Sequence, residues 1–493
     1  MQLGFDKEKY IKMQAEHIRE RINQFGGKLY LEFGGKLFDD YHACRVLPGF
    51  EPALKARMLE SLASETEVIV AVNANDIEHD KRRSDIGVSY ADDALRLLDI
   101  FRSMGIRAKS VVITQFSGQP HVISYQKRLE SMGIRVYRHY PIERYPSDVN
   151  LIVSDEGFGK NDYVETKRPL IVVTAPGPGS GKLATCLSQL YHENKRGIQA
   201  GYAKFETFPV WNLPLKHPVN IAYEAATADL DDNNIIDPFH LEAYGKVTVN
   251  YNRDVETFPV VKTMLERIMG ESPYQSPTDM GVNMVGFGIT DDAVCREAAK
   301  GEIVRRYFTT AEQLKRTGQG AAALAKIELL MNEAGIDKDF SPARAAALLK
   351  AELTGAPAGA MVLPDGSVVT GKTSDVMGAA SSLLLNALKK VAGVDLETYV
   401  VADEALKPIN HLKVEHLRSH NPRLHSDETL IALSISSATD PLAAKVIDAT
   451  DELRGCDAYF SVIISDTDER TYRKLGINVC CEPEYEKSAF YHK

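Results

Sequence analysis

The chain has 493 residues, and a typical domain length of about 150 residues predicts roughly three domains. Hydrophobic residues make up 44% of the sequence and charged residues 26%, which is ordinary for a globular protein with a sizeable core. The formal net charge is −10 and no block of Lys and Arg stands out. This balance disfavours the class of proteins that bind nucleic acid by neutralising its phosphates.

The cysteines and the N-terminal sequence are typical of a protein of the cytoplasm. Six cysteines are scattered along the chain without a CxxC pair, which is typical of free thiols in a reducing environment. The first 22 residues carry charges throughout and lack the apolar stretch of a signal peptide. The sequence contains no run of about 18 apolar residues that could span a membrane. We therefore expect a cytoplasmic protein with no membrane partner.

The first half of the chain alternates helices with apolar strands. Two of its helices end in the same pentapeptide, Ser-Met-Gly-Ile-Arg, whose glycine suits a left-handed C-terminal cap. Near-continuous apolar strands separated by helices predict a parallel, doubly wound, Rossmann-like α/β sheet. In chain order the predicted helices cover 8–25, 51–63, two segments ending at 103–107 and 131–135, and 182–194; the predicted strands cover 28–33, 67–72, 110–114, 135–140, 151–154, 170–175, 200–205 and 219–225.

The sequence changes in character from about residue 290. Thr310 with Gln313 has the pattern of a capping box, and Ser341-Pro342 that of a helix start, and both introduce Ala-rich helices. The following segment predicts a hairpin at 361–370, a helix at 375–392, and strands at 397–402, 430–436, 459–465 and 477–481. We expect a Rossmann-like α/β domain at 1–289, a helical subdomain at 290–354 and a separate C-terminal α/β domain at 355–493.

The sharpest chemical feature is the glycine-rich loop between the predicted strand at 170–175 and the helix at 182–194. The unpaired N–H groups at the start of that helix and its positive dipole end favour an anion. Glycines let the loop backbone close around phosphate, and a lysine adds charge. The residues that we expect to bind phosphate are Gly177, Gly179, Ser180, Gly181 and Lys182.

The loop departs from the two best-known phosphate-binding patterns. Gly181-Lys182 fits the end of GxxxxGK[ST], but Pro176 replaces its first glycine and Leu183 replaces the hydroxyl that would bind Mg²⁺. Thr185, further along the helix, could supply that hydroxyl. A dinucleotide loop would require a third glycine at Lys182. Three interpretations of the loop therefore remain: a Mg-ATP loop, another kind of phosphate site, and a structural turn.

Other segments could complete the site. Lys160, in the segment 157–162, could form a second wall, or that segment could be an ordinary polar turn. Asp229, Asp231 and Asp232 follow a predicted strand and could act on a metal ion or a proton, although loop acids are often only solvated. Weaker candidates are Gly34-Gly35-Lys36 with Asp39, Asp40 and His42, then Arg253, Thr370–Ser374, and a histidine cluster at 411, 416, 420 and 425 that has metal-ligand spacing or is structural.

Three long segments carry a family resemblance: those at 28–50, 172–230 and 276–289. They resemble the bacterial family that carries domain of unknown function 1846. The resemblance implies a Rossmann-like N-terminal region, a helical part and a distinct C-terminal α/β domain. It implies no catalytic residues.

We therefore expect an enzyme that binds a nucleotide or phosphorylated small molecule at 177–182, with phosphoryl transfer or ATP-dependent chemistry as the reaction class. A nucleotide with Mg²⁺ is the candidate cofactor, and Asp229, Asp231 and Asp232 are the candidate catalytic residues. The alternatives are a non-catalytic phosphate-ligand sensor or assembly protein, and a metal-dependent hydrolase using the histidine cluster. No nucleic-acid partner is expected, and self-association into a homo-oligomer is left open.

Overall fold

A computed structural model of the chain describes residues 2–38, 40–83 and 87–487. The chain divides into two compact units. The N-terminal unit comprises residues 2–224 and 232–298, and the C-terminal unit comprises residues 225–231 and the chain from residue 299 onward. Within the described ranges, no helix combines the length and the apolar character needed to cross a membrane.

Helices and strands alternate through the first 290 residues. The α-helices are α1 (Lys7–Gln24), α2 (Tyr41–Val46), α3 (Leu54–Glu60), α4 (Ala74–Glu78), α5 (Tyr90–Ser103), α6 (Pro120–Ser131), α7 (Val149–Ile152), α8 (Lys182–Lys195), α9 (Pro218–Ala226), α10 (Pro238–Tyr244), α11 (Asn252–Met269) and α12 (Pro277–Met280). The strands are β1 (Leu29–Phe33), β2 (Thr66–Asn73), β3 (Arg107–Thr114), β4 (Arg135–Arg138), β5 (Leu170–Thr174), β6 (Gly201–Phe205), β7 (Asn234–Ile236) and β8 (Val249–Tyr251). Short 3-10 helices lie at Phe158–Lys160, Ala228–Leu230 and Val285–Gly288.

Six of these strands form the sheet at the centre of the N-terminal unit. Their order is β4-β3-β2-β5-β1-β6, and every neighbouring pair is parallel. All five residues of β5 are buried, as are seven of the eight residues of β2, which is the burial expected of a parallel sheet covered on both faces. The parallel sheet predicted from the apolar strands is therefore confirmed.

Two strand predictions in this unit are wrong. The segment 151–154 overlaps the short helix α7, whose start is capped by the Asp148 side chain accepting a hydrogen bond from the backbone N–H of Leu151. The segment 219–225 belongs to helix α9, which begins at Pro218. Short apolar runs are compatible with both structures, and here a capping aspartate and a proline at the helix start favour the helix.

The remainder of the chain is mostly helical around a small sheet. The α-helices are α13 (Asp292–Thr317), α14 (Ala321–Ala334), α15 (Pro342–Thr354), α16 (Ala379–Val391), α17 (Asp403–His411), α18 (Ser426–Ser436), α19 (Pro441–Asp448) and α20 (Asp466–Leu475). Shorter helical turns lie at Lys338–Phe340, Leu412–His416 and Ala449–Leu453. The strands are β9 (Ala358–Val362), β10 (Val368–Lys372), β11 (Asp457–Phe460) and β12 (Asn478–Cys481), in the sheet order β10-β9-β11-β12.

This small sheet is mixed, since β9 pairs antiparallel with β10 and β11 while β11 and β12 are parallel. The predicted hairpin is confirmed as β9 and β10, and a separate C-terminal α/β region is confirmed. The predicted strand at 430–436 is wrong, because those residues lie in α18. No strand forms at 397–402. Thr310 lies inside α13 instead of starting a helix, whereas Ser341 does precede α15. The predicted boundaries at 289 and 354 stay predictions.

Candidate functional site

A cavity of about 530 Å³ opens at the carboxyl ends of the strands of the large sheet. Its volume is within the range of sites for small molecules and cofactors. Four strands, β1 to β4, contribute residues at or just beyond their ends, and the loop after β5 and the start of α8 close one side. The lining residues are Glu32, Asn73, Asn75, Thr114, Gln115, His139, Tyr140, Ile142, Tyr145, Phe158, Asn161, Gly179, Gly181, Lys182, Leu183 and Ala184.

The strand order explains why a cleft forms at this place. The chain leaves β2 towards β3 and β4, whereas it leaves the neighbouring β5 in the opposite direction, past β1 to β6. Connections that diverge from adjacent parallel strands leave a crevice at their carboxyl ends. The loop after β5, which the sequence singled out as an anion site, lies at this divergence.

The loop 175–181 is held by side chains at the ends of β2 and β3. The amide of Asn73, at the end of β2, donates to the Gly179 carbonyl at 3.1 Å, and the Thr114 hydroxyl, at the end of β3, donates to the Ser180 carbonyl at 2.9 Å. Gly179 and Gly181 have φ values of 74° and 82°, a left-handed backbone that favours glycine. The buried Ser180 hydroxyl donates to the Gly177 carbonyl at 2.9 Å, so it stabilises the loop itself.

The N-terminus of α8 is open to the cavity. Gly181 precedes the helix, and no side chain in the described ranges caps its first turn. Lys182, Leu183 and Ala184, the first three helical residues, all line the cavity. Lys182 is partly exposed and forms no ion pair with any described residue. The first turn therefore presents unpaired N–H groups, a positive dipole end and an ammonium to one enclosed space.

Glu32, the penultimate residue of β1, places a carboxylate on the other side of the loop. The Tyr202 hydroxyl donates to its Oε2 atom at 2.7 Å. Among the described residues, nothing forms a hydrogen bond or ion pair with Oε1. Tyr145 also lines the cavity, and burial together with the charge of Glu32 raises the pKa of its hydroxyl. The site thus combines an anion-binding end with one acidic group.

His139 follows β4 and lines the far part of the cavity. Its side chain is buried, and burial lowers its pKa to about 4, so the ring is neutral near pH 7. Nε2 lies 3.2 Å from the Asp162 carbonyl oxygen, which can only accept a hydrogen bond. The proton is therefore on Nε2, and Nδ1 is left as an acceptor.

The buried Asn161 amide is not available to a ligand. Its oxygen accepts a hydrogen bond from the Tyr140 N–H, and its nitrogen donates to the Ser188 hydroxyl.

Four residues predicted to bind the phosphate ligand do not line the cavity: Gly177, Ser180, Lys160 and Thr185. Gly177 and Ser180 belong to the loop itself and bind each other. Lys160 is exposed, and its ammonium pairs with Glu156 at 2.6 Å. Its neighbours Phe158 and Asn161 do line the cavity, so the segment 157–162 forms a wall through other side chains. Thr185 is fully buried, and its hydroxyl donates to the Gly181 carbonyl at 2.9 Å within the helix.

The three predicted catalytic acids lie outside the cavity lining. Asp229 belongs to the 3-10 helix 228–230, and Asp231 follows it with a left-handed φ of 55°. Asp232 is buried and pairs with the Arg253 guanidinium at 2.5 Å. The geometry of the cavity gives the three acids no support, and their catalytic role stays a prediction.

A partly buried cluster of charged side chains lies next to Glu32 on the large sheet. Lys204 of β6 is the register partner of Glu32, and its ammonium contacts Asp254 at 2.5 Å and Glu206 at 3.1 Å. Burial alone would lower the pKa of Lys204, but Asp254, Glu206 and Glu32 raise it above its usual value. Burial and the charges of Asp254 and Glu32 raise the pKa of Glu206, although Lys204 opposes them. A second hollow of only about 40 Å³ adjoins this cluster, about the space of one water molecule.

The weaker predicted sites have structural partners. Asp40 forms a buried ion pair with Lys55 at 2.6 Å and caps α2, whereas Asp39 lies outside the described residues. Thr370–Ser374 begins on β10 and does not start a helix, since α16 begins at Ala379. In the histidine cluster, His425 contacts Asp468 at 3.1 Å. The described part of the chain contains no group of three or more His, Cys, Asp or Glu side chains that could hold a metal ion.

Several lining residues were missed by sequence reasoning, although a signal for them exists. Asn73 and Thr114 are the last residues of their strands, Glu32 is next to last, and His139 directly follows β4. Polar residues at the carboxyl ends of predicted parallel strands are candidates for ligand contacts, because those ends meet at one edge of the sheet.

Comparison with known proteins places the chain in a family. Residues 3–335 match the N-terminal part of the family described as domain of unknown function DUF1846, and residues 339–491 match its C-terminal part. A UPF0371 protein of Streptococcus thermophilus is 57% identical over 490 residues, covering 99% of both chains. A UPF0371 protein of Streptococcus pneumoniae serotype 19F is 56% identical over the same length, again covering 99% of both chains. The protein therefore belongs to the DUF1846 family.

Proposed function

We propose that the N-terminal unit binds a nucleotide or a phosphorylated small molecule in the 530 Å³ cavity and acts on it as an enzyme. The observation that supports this most directly is the uncapped first turn of α8, which borders the cavity together with Lys182. The phosphate would lie against the N–H groups of this turn and of the loop at Gly179 and Gly181. The Lys182 ammonium would add a point charge.

The sheet supports a Rossmann-like, doubly wound arrangement. Parallel crossovers are right-handed in nearly all proteins, so connections that run in opposite directions from β2 and β5 place α5 and α8 on opposite faces. Ligands of such sheets bind at the divergence between the two directions. The order β4-β3-β2-β5-β1-β6 differs from the 3-2-1-4-5-6 order of dinucleotide-binding domains, so the argument depends on the divergence and not on that fold.

The side chains of the cavity favour binding that does not depend on Mg²⁺. The position after Lys182 holds Leu183, which has no oxygen, and the Thr185 hydroxyl is engaged with the Gly181 carbonyl. Among the residues that the structure describes, Glu32 is the single carboxylate in the lining. We expect addition of Mg²⁺ to change ligand affinity little.

Isothermal titration calorimetry against ATP, GTP, NAD(P) and sugar phosphates tests the proposal. A hydrogen bond to a charged group contributes about 1.5–3 kcal/mol, so Lys182→Met should weaken binding by about tenfold or more. Lys160→Met is the matched control, because it removes an exposed lysine of a cavity wall that pairs with Glu156. It should leave affinity unchanged. The absence of heat with every ligand, or equal affinity of a stably folded Lys182→Met variant, would contradict the proposal.

A non-catalytic sensor is the second candidate, favoured by the scarcity of acid–base groups in the cavity. His139 is neutral, and the described part of the chain contributes no carboxylate to the lining besides Glu32. Product analysis of each bound ligand after incubation with the protein separates the two functions. Turnover that Lys182→Met abolishes would exclude the sensor.

A further inference from the structure

Glu32 is an unexpected neighbour for an anion site. It is the register partner of Val173 on β5, one residue before the end of the strand that leads into the phosphate loop. Adjacent strands lie about 4.8 Å apart, so Glu32 is one strand away from the loop. A carboxylate at this position repels a bare phosphate ion, and its presence in the same cavity calls for a ligand that bears hydrogen-bond donors beside its phosphate.

The carboxylate of Glu32 keeps unused acceptor capacity. Tyr202 occupies Oε2, and Oε1 has no partner in the described part of the chain. Lys204 does not neutralise Glu32 by a direct ion pair, because its ammonium is held by Asp254 and Glu206. An ionised carboxylate accepts about four hydrogen bonds, so a pair of neighbouring hydroxyl groups could be bound at once.

The rest of the lining suits a ligand longer than phosphate. The lining extends across the sheet from β1 to β4. These two strands are separated by four strand spacings, or about 19 Å. Tyr145 lies near Glu32 and offers an aromatic ring to the apolar face of a sugar or to a base. His139 adds a neutral acceptor among the lining residues.

We propose that the ligand is a phosphate ester of a polyhydroxy compound, either a sugar phosphate or a nucleoside phosphate, and that Glu32 selects it by accepting hydrogen bonds from its hydroxyl groups. This inference rests on the proposed function, since it places the phosphate at α8. It adds a specificity residue and a ligand class.

Calorimetric titrations with four probes test the assignment: inorganic phosphate, ribose 5-phosphate, 2-deoxyribose 5-phosphate and adenosine monophosphate. The wild-type protein should bind ribose 5-phosphate at least tenfold tighter than inorganic phosphate, and 2-deoxyribose 5-phosphate should bind less tightly than ribose 5-phosphate. Glu32→Gln should remove at least tenfold of the preference for ribose 5-phosphate. Its affinity for inorganic phosphate should be unchanged or higher, because the repulsion is gone.

Two further variants keep the test independent of folding. Glu32→Asp keeps the charge but shortens the reach, so it should lose part of the preference. Glu156→Gln removes an exposed carboxylate outside the cavity lining and should behave as wild type. Tighter binding of adenosine monophosphate than of ribose 5-phosphate would identify a nucleoside phosphate, and the reverse order a sugar phosphate.

The possible failures are distinguishable. If ribose 5-phosphate binds no better than inorganic phosphate, or binds equally to wild type and Glu32→Gln, the role of Glu32 is refuted while the phosphate site stands. If none of the four probes binds, and ATP, GTP and NAD(P) also give no heat, the proposed function itself is refuted.

Discussion

Alanine substitutions at Gly179 and Gly181, the two left-handed glycines of the phosphate loop, can separate the energetic cost of backbone strain from that of a steric clash. A Cβ atom added at Gly181 would lie 2.9 Å from Cγ2 and 3.1 Å from Oγ1 of Thr114. A Cβ atom added at Gly179 would meet no described atom within 4 Å. Both residues have positive φ, so Gly179→Ala should show the strain alone and Gly181→Ala the strain plus the contact.

The expected magnitudes follow from these two terms. Forcing alanine into the left-handed region costs about 1–2 kcal/mol, which is the prediction for Gly179→Ala. Overpacking against a side chain fixed in a sheet adds about 1–3 kcal/mol. Gly181→Ala should therefore lower the free energy of unfolding by about 2–5 kcal/mol. It should also weaken the hydrogen bond from Thr114 to the Ser180 carbonyl.

Urea unfolding followed by tryptophan fluorescence measures both variants. Trp211 is the single tryptophan of the chain and belongs to the N-terminal unit, so its signal reports the unit that holds the loop. A Gly181→Ala variant that is no less stable than Gly179→Ala would show that Thr114 does not confine the loop, and the account of its conformation given above would be wrong.

Two other predictions concern buried charged and titratable groups. The folded-state pKa of His139 is lowered by burial to about 4 from 6.5, so its contribution to stability is present above pH 6.5 and is lost as the pH falls towards 4. The shift of the pKa corresponds to about 3 kcal/mol of folding free energy. In urea titrations, His139→Gln should therefore lose less stability than the wild type between pH 6.5 and pH 4. An unchanged dependence of the unfolding free energy on pH would show that His139 is not buried as described. Lys55→Met should lower the free energy of unfolding by about 3–5 kcal/mol, because it leaves the buried Asp40 carboxylate without its ion pair. A thermal midpoint equal to that of the wild type would contradict this.

The sequence was sufficient to predict elements with strong local signals. The predicted strand at 67–72 corresponds to β2, because a near-continuous run rich in β-branched residues favours a buried strand. The predicted helix at 182–194 corresponds to α8, because its apolar residues have helical spacing. The apolar runs at 151–154 and 430–436 were ambiguous; helix starts capped by Asp148 and His425 favour helix for the first two residues of the former run and for all of the latter. Strand order could not be predicted, since the position of β5 between β1 and β2 depends on contacts between residues far apart in sequence.

The candidate site was predictable only in part for the same reason. The loop at 177–182 is a local pattern, and it lies at the cavity as expected. Glu32, Asn73 and His139 come from three separate strands, and only the folded sheet brings them together. The acids at 229–232 looked favourable because they follow an apolar run, but that run is helix α9 and not a strand of the sheet.

The position of β5 also has a consequence for biosynthesis. Strands β1 and β2 leave the ribosome early, yet neither is complete as a pairing partner until Leu170–Thr174 fills the gap between them. Until then, one edge of each of these two apolar strands is unpaired, and unpaired strand edges favour aggregation. We therefore expect a nascent chain shorter than about 170 residues to lack the central strand of the sheet and to aggregate more readily than the full chain.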